Sequence, residues 1–197
     1  MALASRYFNG KRVSRSHYCL LREAERRGIV KYINQGRRTI AEQRAFWNHY
    51  KTYGYPLAAY PSYAAPHIKF NRENHALDIN DGVVDRVASF YRSLGVPVAF
   101  NVPSEPWHMD TLSERVLIDA AKQFSFYLLP QLRRGQSGKS VIKLKKLLYN
   151  KGYRSFGSRY NPFFSKATQN AVKRFQKTKS LKADGVVGPR TWKYLGA

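Results

Sequence analysis

Apolar residues recur at helical spacing in several stretches of the chain, and each stretch carries its own start or stop signal. Thr39-Ile-Ala-Glu42 has the Thr-x-x-Glu spacing of a capping box and opens a segment with Phe46, Trp47 and Tyr50 on one side. Thr111-Leu-Ser-Glu114 repeats the spacing and leads into Leu117, Ala120, Ala121 and Phe124. Two further helices are expected over Ser16 to Arg27, stopped by Gly28, and over Val83 to Leu94, stopped by Gly95. Strand-like pieces lie between them at Ala76 to Ile79 and Pro97 to Val102. Up to residue 128 the pattern therefore predicts an α+β domain, a small antiparallel sheet with helices.

The periodicity breaks at QFSFYLLPQLRRGQSGKS, where Pro130, Gly135 and Gly138 cluster, and residues 129–133 are read as a linker. Residues 134–197 then show three short helical patterns. The first carries Val141, Leu144 and Leu148, the second Ala167, Ala171, Val172 and Phe175, and the third Trp192 and Leu195. A weak internal echo relates FFSKATQNAV to VVGPRTWKYL, each a turn that feeds a short helix. Three helices on about 60 residues predict a small all-α bundle.

Charge sharpens this division. The chain of 197 residues has a formal net charge of +23, and sixteen of its Lys and Arg residues lie from Arg134 onward beside the single acid Asp184. Such a surface calls for an anionic partner: nucleic acid, an acidic membrane face or a cell-wall polymer. The carboxylates, and any chemistry that needs them, belong to the front part. The start, MALASRYFNGKRVSR, lacks the apolar core of a secretory signal, so the expected place of synthesis and initial residence is a cytoplasm. No apolar run approaches the ~20 residues of a spanning helix, and no membrane partner is expected. With Cys19 alone, a cysteine-rich metal site is excluded, and its apolar neighbours Tyr18, Leu20 and Leu21 predict a buried, inert thiol. Any metal must use His, Asp or Glu.

A hydrolytic zinc site needs three protein ligands, a free position and a separate carboxylate to move a proton. His67, Asp78 and His108 supply one such ligand set, with Glu105 as the spare carboxylate. Spacing alone does not separate this from unrelated polar residues in loops. His17 and His49, on expected helices without a partner motif, read as ordinary, partly exposed side chains.

GRRTIAEQRAFW, HIKFNRENHALDIN and EPWHMD, in that order, resemble the zinc D-Ala-D-Ala carboxypeptidase and L-alanyl-D-glutamate endopeptidase family of peptidoglycan peptidases over about Gly36 to Asp110. The resemblance implies one Zn²⁺ per chain, Asp78 and His108 as ligands, Glu105 as general base and Arg38 as a substrate-positioning cation. The first histidine departs from the family pattern: seven residues before Asp78 stands Asn71, and Asn74 replaces the family glycine. An insertion of about four residues would restore His67 to the ligand role. His75 competes with it; on a regular strand it faces away from Asp78, which leaves it a supporting or substrate-facing place. Trp107 lines the cleft or belongs to the core.

From about Leu132 the tail resembles the three-helix peptidoglycan-binding domain. The resemblance rests on Gly135, Gly138, Val141 and Leu144, on Ala171, Val172, Phe175 and Gln176, and on Leu181, Asp184 to Pro189, Thr191, Trp192 and Leu195. It departs at Asn161-Pro162, where Asp-Gly is usual. Together the two resemblances imply a phage endolysin-like peptidoglycan hydrolase, held in the host bacterial cytoplasm until the membrane is permeabilised. Its partner would be the bacterial wall, its bond most readily L-alanyl-D-glutamate, with a D-Ala-D-Ala carboxypeptidase or cross-link endopeptidase as the alternative. A non-catalytic wall- or nucleic-acid-binding protein is the competitor from another class; no nucleic-acid motif accompanies the charge, and nothing calls for more than a monomer.

Overall fold

The computed structural model describes residues 6–54, 76–80, 82–103 and 105–197. The chain forms two compact units, one running to Phe124 and the other from Ser125 to Ala197. No helix among the described residues is long and apolar enough to cross a membrane.

The first unit starts with a hairpin of β1 (Arg6–Phe8) and β2 (Lys11–Val13), in which Phe8 faces Lys11. Its two-residue turn is Asn9-Gly10, with φ of 44° and 83°, the positive values that a twist-matched hairpin turn requires. Helix α1 (Arg15–Arg26) follows, capped by Ser14, and packs on β1 and on the later helices α3 (Val84–Ser93) and α4 (Glu114–Lys122). Its buried face includes Cys19, Leu20, Leu21 and Ala24. Glu23, 1% exposed on the same helix, is held by Arg26 at 2.5 Å and Arg27 at 3.0 Å, which offsets the cost of a buried carboxylate. His17 corrects its expectation: it is fully buried, with Nδ1 3.0 Å from the Tyr91 hydroxyl, because it lies on the α1 face turned toward α3. His49 is exposed as expected.

Helix α2 (Ile40–Tyr53) begins at the predicted capping box, Thr39 with Glu42, and ends at Gly54 with φ 74°. Its expected apolar side does not form a core. Gln43 is its buried residue, Phe46 is exposed, and Trp47 and Tyr50 are half-buried.

The sheet is antiparallel with order β3-β5-β4: β3 (Ala76–Asp78), β4 (Val98–Ala99) and β5 (His108–Thr111). Its central strand is the one that periodicity did not predict. The expected capping box at Thr111 gives way to it, since Thr111 pairs with Val98 and is 2% exposed; Ser113 caps α4 instead, accepting from the Val116 amide. Leu77 and Met109 point into the core, both fully buried, so the alternate residues Asp78, His108 and Asp110 share the other face.

The second unit contains a 3₁₀ turn (Ser125–Leu128), α5 (Lys139–Asn150), α6 (Lys166–Thr178) and α7 (Pro189–Leu195). Of the predicted core positions, Ala167 faces solvent and the others are buried. Within the 129–133 segment, Leu132 bridges to Val187 and the Pro130 carbonyl accepts from Trp192 Nε1 at 2.9 Å. The internal echo is physical. Asp184 Oδ1 accepts from the Val186 amide and Asn161 Oδ1 from the Phe163 amide, so both turns are closed by the same side-chain bond despite Asn161-Pro162. Buried Lys145 ties α5 to the first turn through the Asn161 carbonyl, and buried Gln176 ties α6 to the second through Gly185 and Val186.

Candidate metal centre and wall-binding domain

Strand register builds the centre. Asp78 and His108 are direct partners across β3 and β5, so their side chains leave the same face and His108 Nδ1 comes within 2.9 Å of Asp78 Oδ1. Just ahead of β5 the chain turns twice, Glu105 N to Val102 O and His108 N to Glu105 O. This folds the Glu105 carboxylate back to 3.6 Å from His108 Nδ1. One ligand atom from each of Asp78, Glu105 and His108 lies within 4.8 Å of the others. Two carboxylates beside an imidazole are a donor set of the kind that could hold a divalent metal ion. His67 and His75 lie outside the described residues.

Two neighbours extend the site beyond the predicted residues. Asp110 Oδ1 stands 3.3 Å from His108 Nε2, and its other oxygen accepts from Asn101 at 3.1 Å. A carboxylate on Nε2 leaves Nδ1, on the Asp78 and Glu105 side, as the atom that would meet a bound ion. The period of two in His108-Met109-Asp110 was the signal for this residue. Gln35 is the second. Its backbone brackets Asp78 with N–H to O at 3.1 Å and O to N–H at 2.9 Å, and its side chain accepts from Arg38 Nη2.

Arg38 reaches the centre on its Asp78 side, Nη2 lying 3.9 Å from Oδ2, while Nη1 donates to Gln43 at 2.8 Å. Its guanidinium lies 4.6 Å from the centroid of the Phe46 ring, which explains why that aromatic is not core. Burial lowers the Arg38 pKa, opposed by the charges of Asp78, Glu105 and Glu42. Arg38 Nε is buried with no hydrogen-bond partner among the described residues. The site thus holds a cation with bonding capacity to spare. Trp107 is half-buried beside the ligands, its carbonyl accepting from Ile79.

Burial works against charge on His108, yet the hydrogen bonds it donates to Asp110 and Asp78 and their negative charges outweigh it and raise its pKa to about 9. In metal-free protein the stabilisation from this charged imidazole is complete below its ordinary value of 6.5 and disappears as pH rises through about 9. A metal ion bound at Nδ1 would have to expel that proton. Apparent metal affinity, measured by competition with a chelating dye, is therefore expected to rise about tenfold per pH unit from pH 6 to 8. An affinity independent of pH would contradict the assignment of His108 as a ligand.

In the second unit the surface is cationic and aromatic: Arg154 and Arg159 lie 4.6 and 4.4 Å from the Tyr149 ring centroid, and Lys146 lies 5.1 Å from that of Tyr160. Residues 137–195, which include all three helices, match the family model described as "Putative peptidoglycan binding domain". This stretch is a peptidoglycan-binding domain. The chain is 39% identical over 66 residues, 34% of its length, to an uncharacterized protein in the bpoA1 3' region of Kitasatospora aureofaciens, and spans about half (55%) of that relative. It is 40% identical to a peptidoglycan-binding protein from Clostridioides difficile, solved in complex with glutamine hydroxamate; the likeness covers 34% of this chain and 41% of that one, with a TM-score of 0.32. The SleB N-terminal domain is 31% identical, over 34% of this chain and 90% of its own, with a TM-score of 0.33. Within this stretch Val141, Leu144, Leu148, Ala171, Val172, Phe175, Trp192 and Leu195 are core rather than contact surface.

Proposed function

We propose that the protein is a zinc-dependent peptidoglycan hydrolase that cuts a peptide bond in the wall stem peptide, with L-alanyl-D-glutamate as the bond. The observation that carries this reading is the convergence of Asp78, Glu105 and His108 within 4.8 Å, with Arg38 beside Asp78, in a chain that also holds a peptidoglycan-binding domain. Release of D-Ala by the same centre is the alternative, since both activities would use these groups.

Asp78 and His108 would hold the ion, which when bound supplies Lewis acidity and an acidified water. Asp110, on Nε2, would fix the imidazole with Nδ1 toward Asp78 and Glu105, where the ion would be held. Glu105, part-exposed at the edge of the cluster, takes the proton of the attacking water and delivers it to the departing amine. Arg38, with an unsatisfied donor and a low-dielectric setting, orients the peptide carbonyl or a neighbouring carboxylate.

The test uses purified sacculi. New amino groups should appear on addition of the protein, stop with a chelator and return with one equivalent of zinc per chain. In parallel, wall pelleting by the chelated protein should weaken as salt rises, since sixteen basic residues and one acid lie from Arg134 onward. Pelleting without any release of amino groups would reduce the function to binding.

A further inference from the structure

We infer that the β1–β2 hairpin completes the substrate cleft as a carboxylate subsite, with Lys11 as the charge that distinguishes acidic from amidated stem peptides. This rests on the peptidase reading of the centre and goes beyond it to the chemistry of the substrate. A cleft of about 270 Å³ lies between the hairpin, the loop carrying Arg38 and the start of α2, with Tyr7, Lys11, Arg12, Arg37, Arg38 and Phe46 among its lining. Four cations thus meet in one recess. The acid that also lines it, Glu42, is engaged by Arg12 and by the Thr39 amide at 2.6 Å.

Lys11 stands apart from the other three. Arg12 is committed to Glu42, Arg38 commits both Nη atoms to Gln35, Gln43 and the Asp78 side and keeps only its buried Nε unbonded, and Arg37 has contacts of its own. The Lys11 side chain is exposed and makes no hydrogen bond or ion pair among the described residues. Its seat is nonetheless rigid: it is the first residue after the Asn9-Gly10 turn, paired with Phe8.

The hairpin is also bonded to the centre through the backbone. Arg37 N donates to Arg12 O at 2.7 Å, and Arg12 Nε returns a bond to Arg37 O at 3.3 Å. Gly36 allows this approach, because a Cβ there would run into the Arg12 carbonyl and lie 2.7 Å from Val13 Cγ1. The same loop continues to Asn34 and Gln35, whose amides donate to the Asp78 carbonyl at 2.7 and 3.1 Å. Arg38 therefore borders both the cleft and the Asp78 cluster from one bonded frame, and a peptide held by Arg38 at the cluster would enter the cleft that Lys11 also lines. In a stem peptide, D-Glu carries a free carboxylate next to the proposed scissile bond, and amidation removes that charge. A charge-assisted pair with Lys11 responds directly to the difference.

The test is calorimetry on the metal-free full chain with two soluble peptides, L-Ala-γ-D-Glu-L-Lys and its D-isoglutamine counterpart. The free acid is expected to bind about tenfold tighter at low salt. Lys11→Gln should bring the two within about twofold, and Lys11→Arg should restore the preference, with circular dichroism confirming the fold of each. Equal binding of the two peptides to the natural chain, or a preference that survives Lys11→Gln, overturns the subsite. Zinc-loaded protein separates the two readings. Cleavage of both peptides at one rate sinks the subsite and leaves the hydrolase; a charge preference without cleavage supports the subsite and removes the hydrolase.

Discussion

Glu105→Gln is expected to lower release of wall fragments by about 10²–10⁴-fold, the usual worth of a positioned general base, while wall pelleting stays unchanged. The substitution keeps the size of the side chain and its hydrogen-bonding reach but removes the site that accepts a proton. The backbone turn that presents residue 105 is made by main-chain bonds to Val102 and His108, so it does not depend on the carboxylate. Metal analysis on the same variant divides two roles. A base leaves the metal content intact with activity lost, whereas a ligand, which the 3.6 Å approach to His108 also permits, loses both. Full activity in the variant would contradict the assignment of Glu105.

Trp192→Ala is expected to unfold the peptidoglycan-binding domain. Trp192 is the largest fully buried side chain among the described residues and donates Nε1–H to the Pro130 carbonyl. Removing it costs about 3–5 kcal/mol in cavity and lost contacts. A bundle of this size has only about 3–5 kcal/mol in total, so the folded state is no longer favoured. Wall pelleting should fall about tenfold or more, and the thermal transition of the second unit should disappear. The metal content of the chain is the control for the first unit. A variant that melts like the natural protein would show that the α7 contacts do not hold the bundle.

The sequence disclosed the helices well because their stops are single residues with a physical reason: Gly28 and Gly95, at φ 70° and 79°, end α1 and α3 as expected. It disclosed Asp78, Glu105 and His108 only through motif order, since long gaps carry no geometric information until strands pair. The central strand escapes periodicity because its four residues also fit a motif and the start of a cap. Alternation around Met109 was the available signal, and it would also have placed Asp110 on the face of His108. The apolar residues of α2 misled for a different reason. Phe46 serves Arg38 rather than the core, and nothing in a helical period distinguishes a ring that packs from one that receives a cation. The Asn9-Gly10 hairpin was legible from its dipeptide alone and was passed over among the basic residues around it.

Whether the protein cuts the wall is decided by mass spectrometry of the fragments released from purified sacculi, with and without a zinc chelator. Chelator-sensitive fragments that carry a new amino terminus on D-Glu are the expected result of the proposed hydrolase. An absence of fragments in both samples, from protein still bound to the wall, would contradict it.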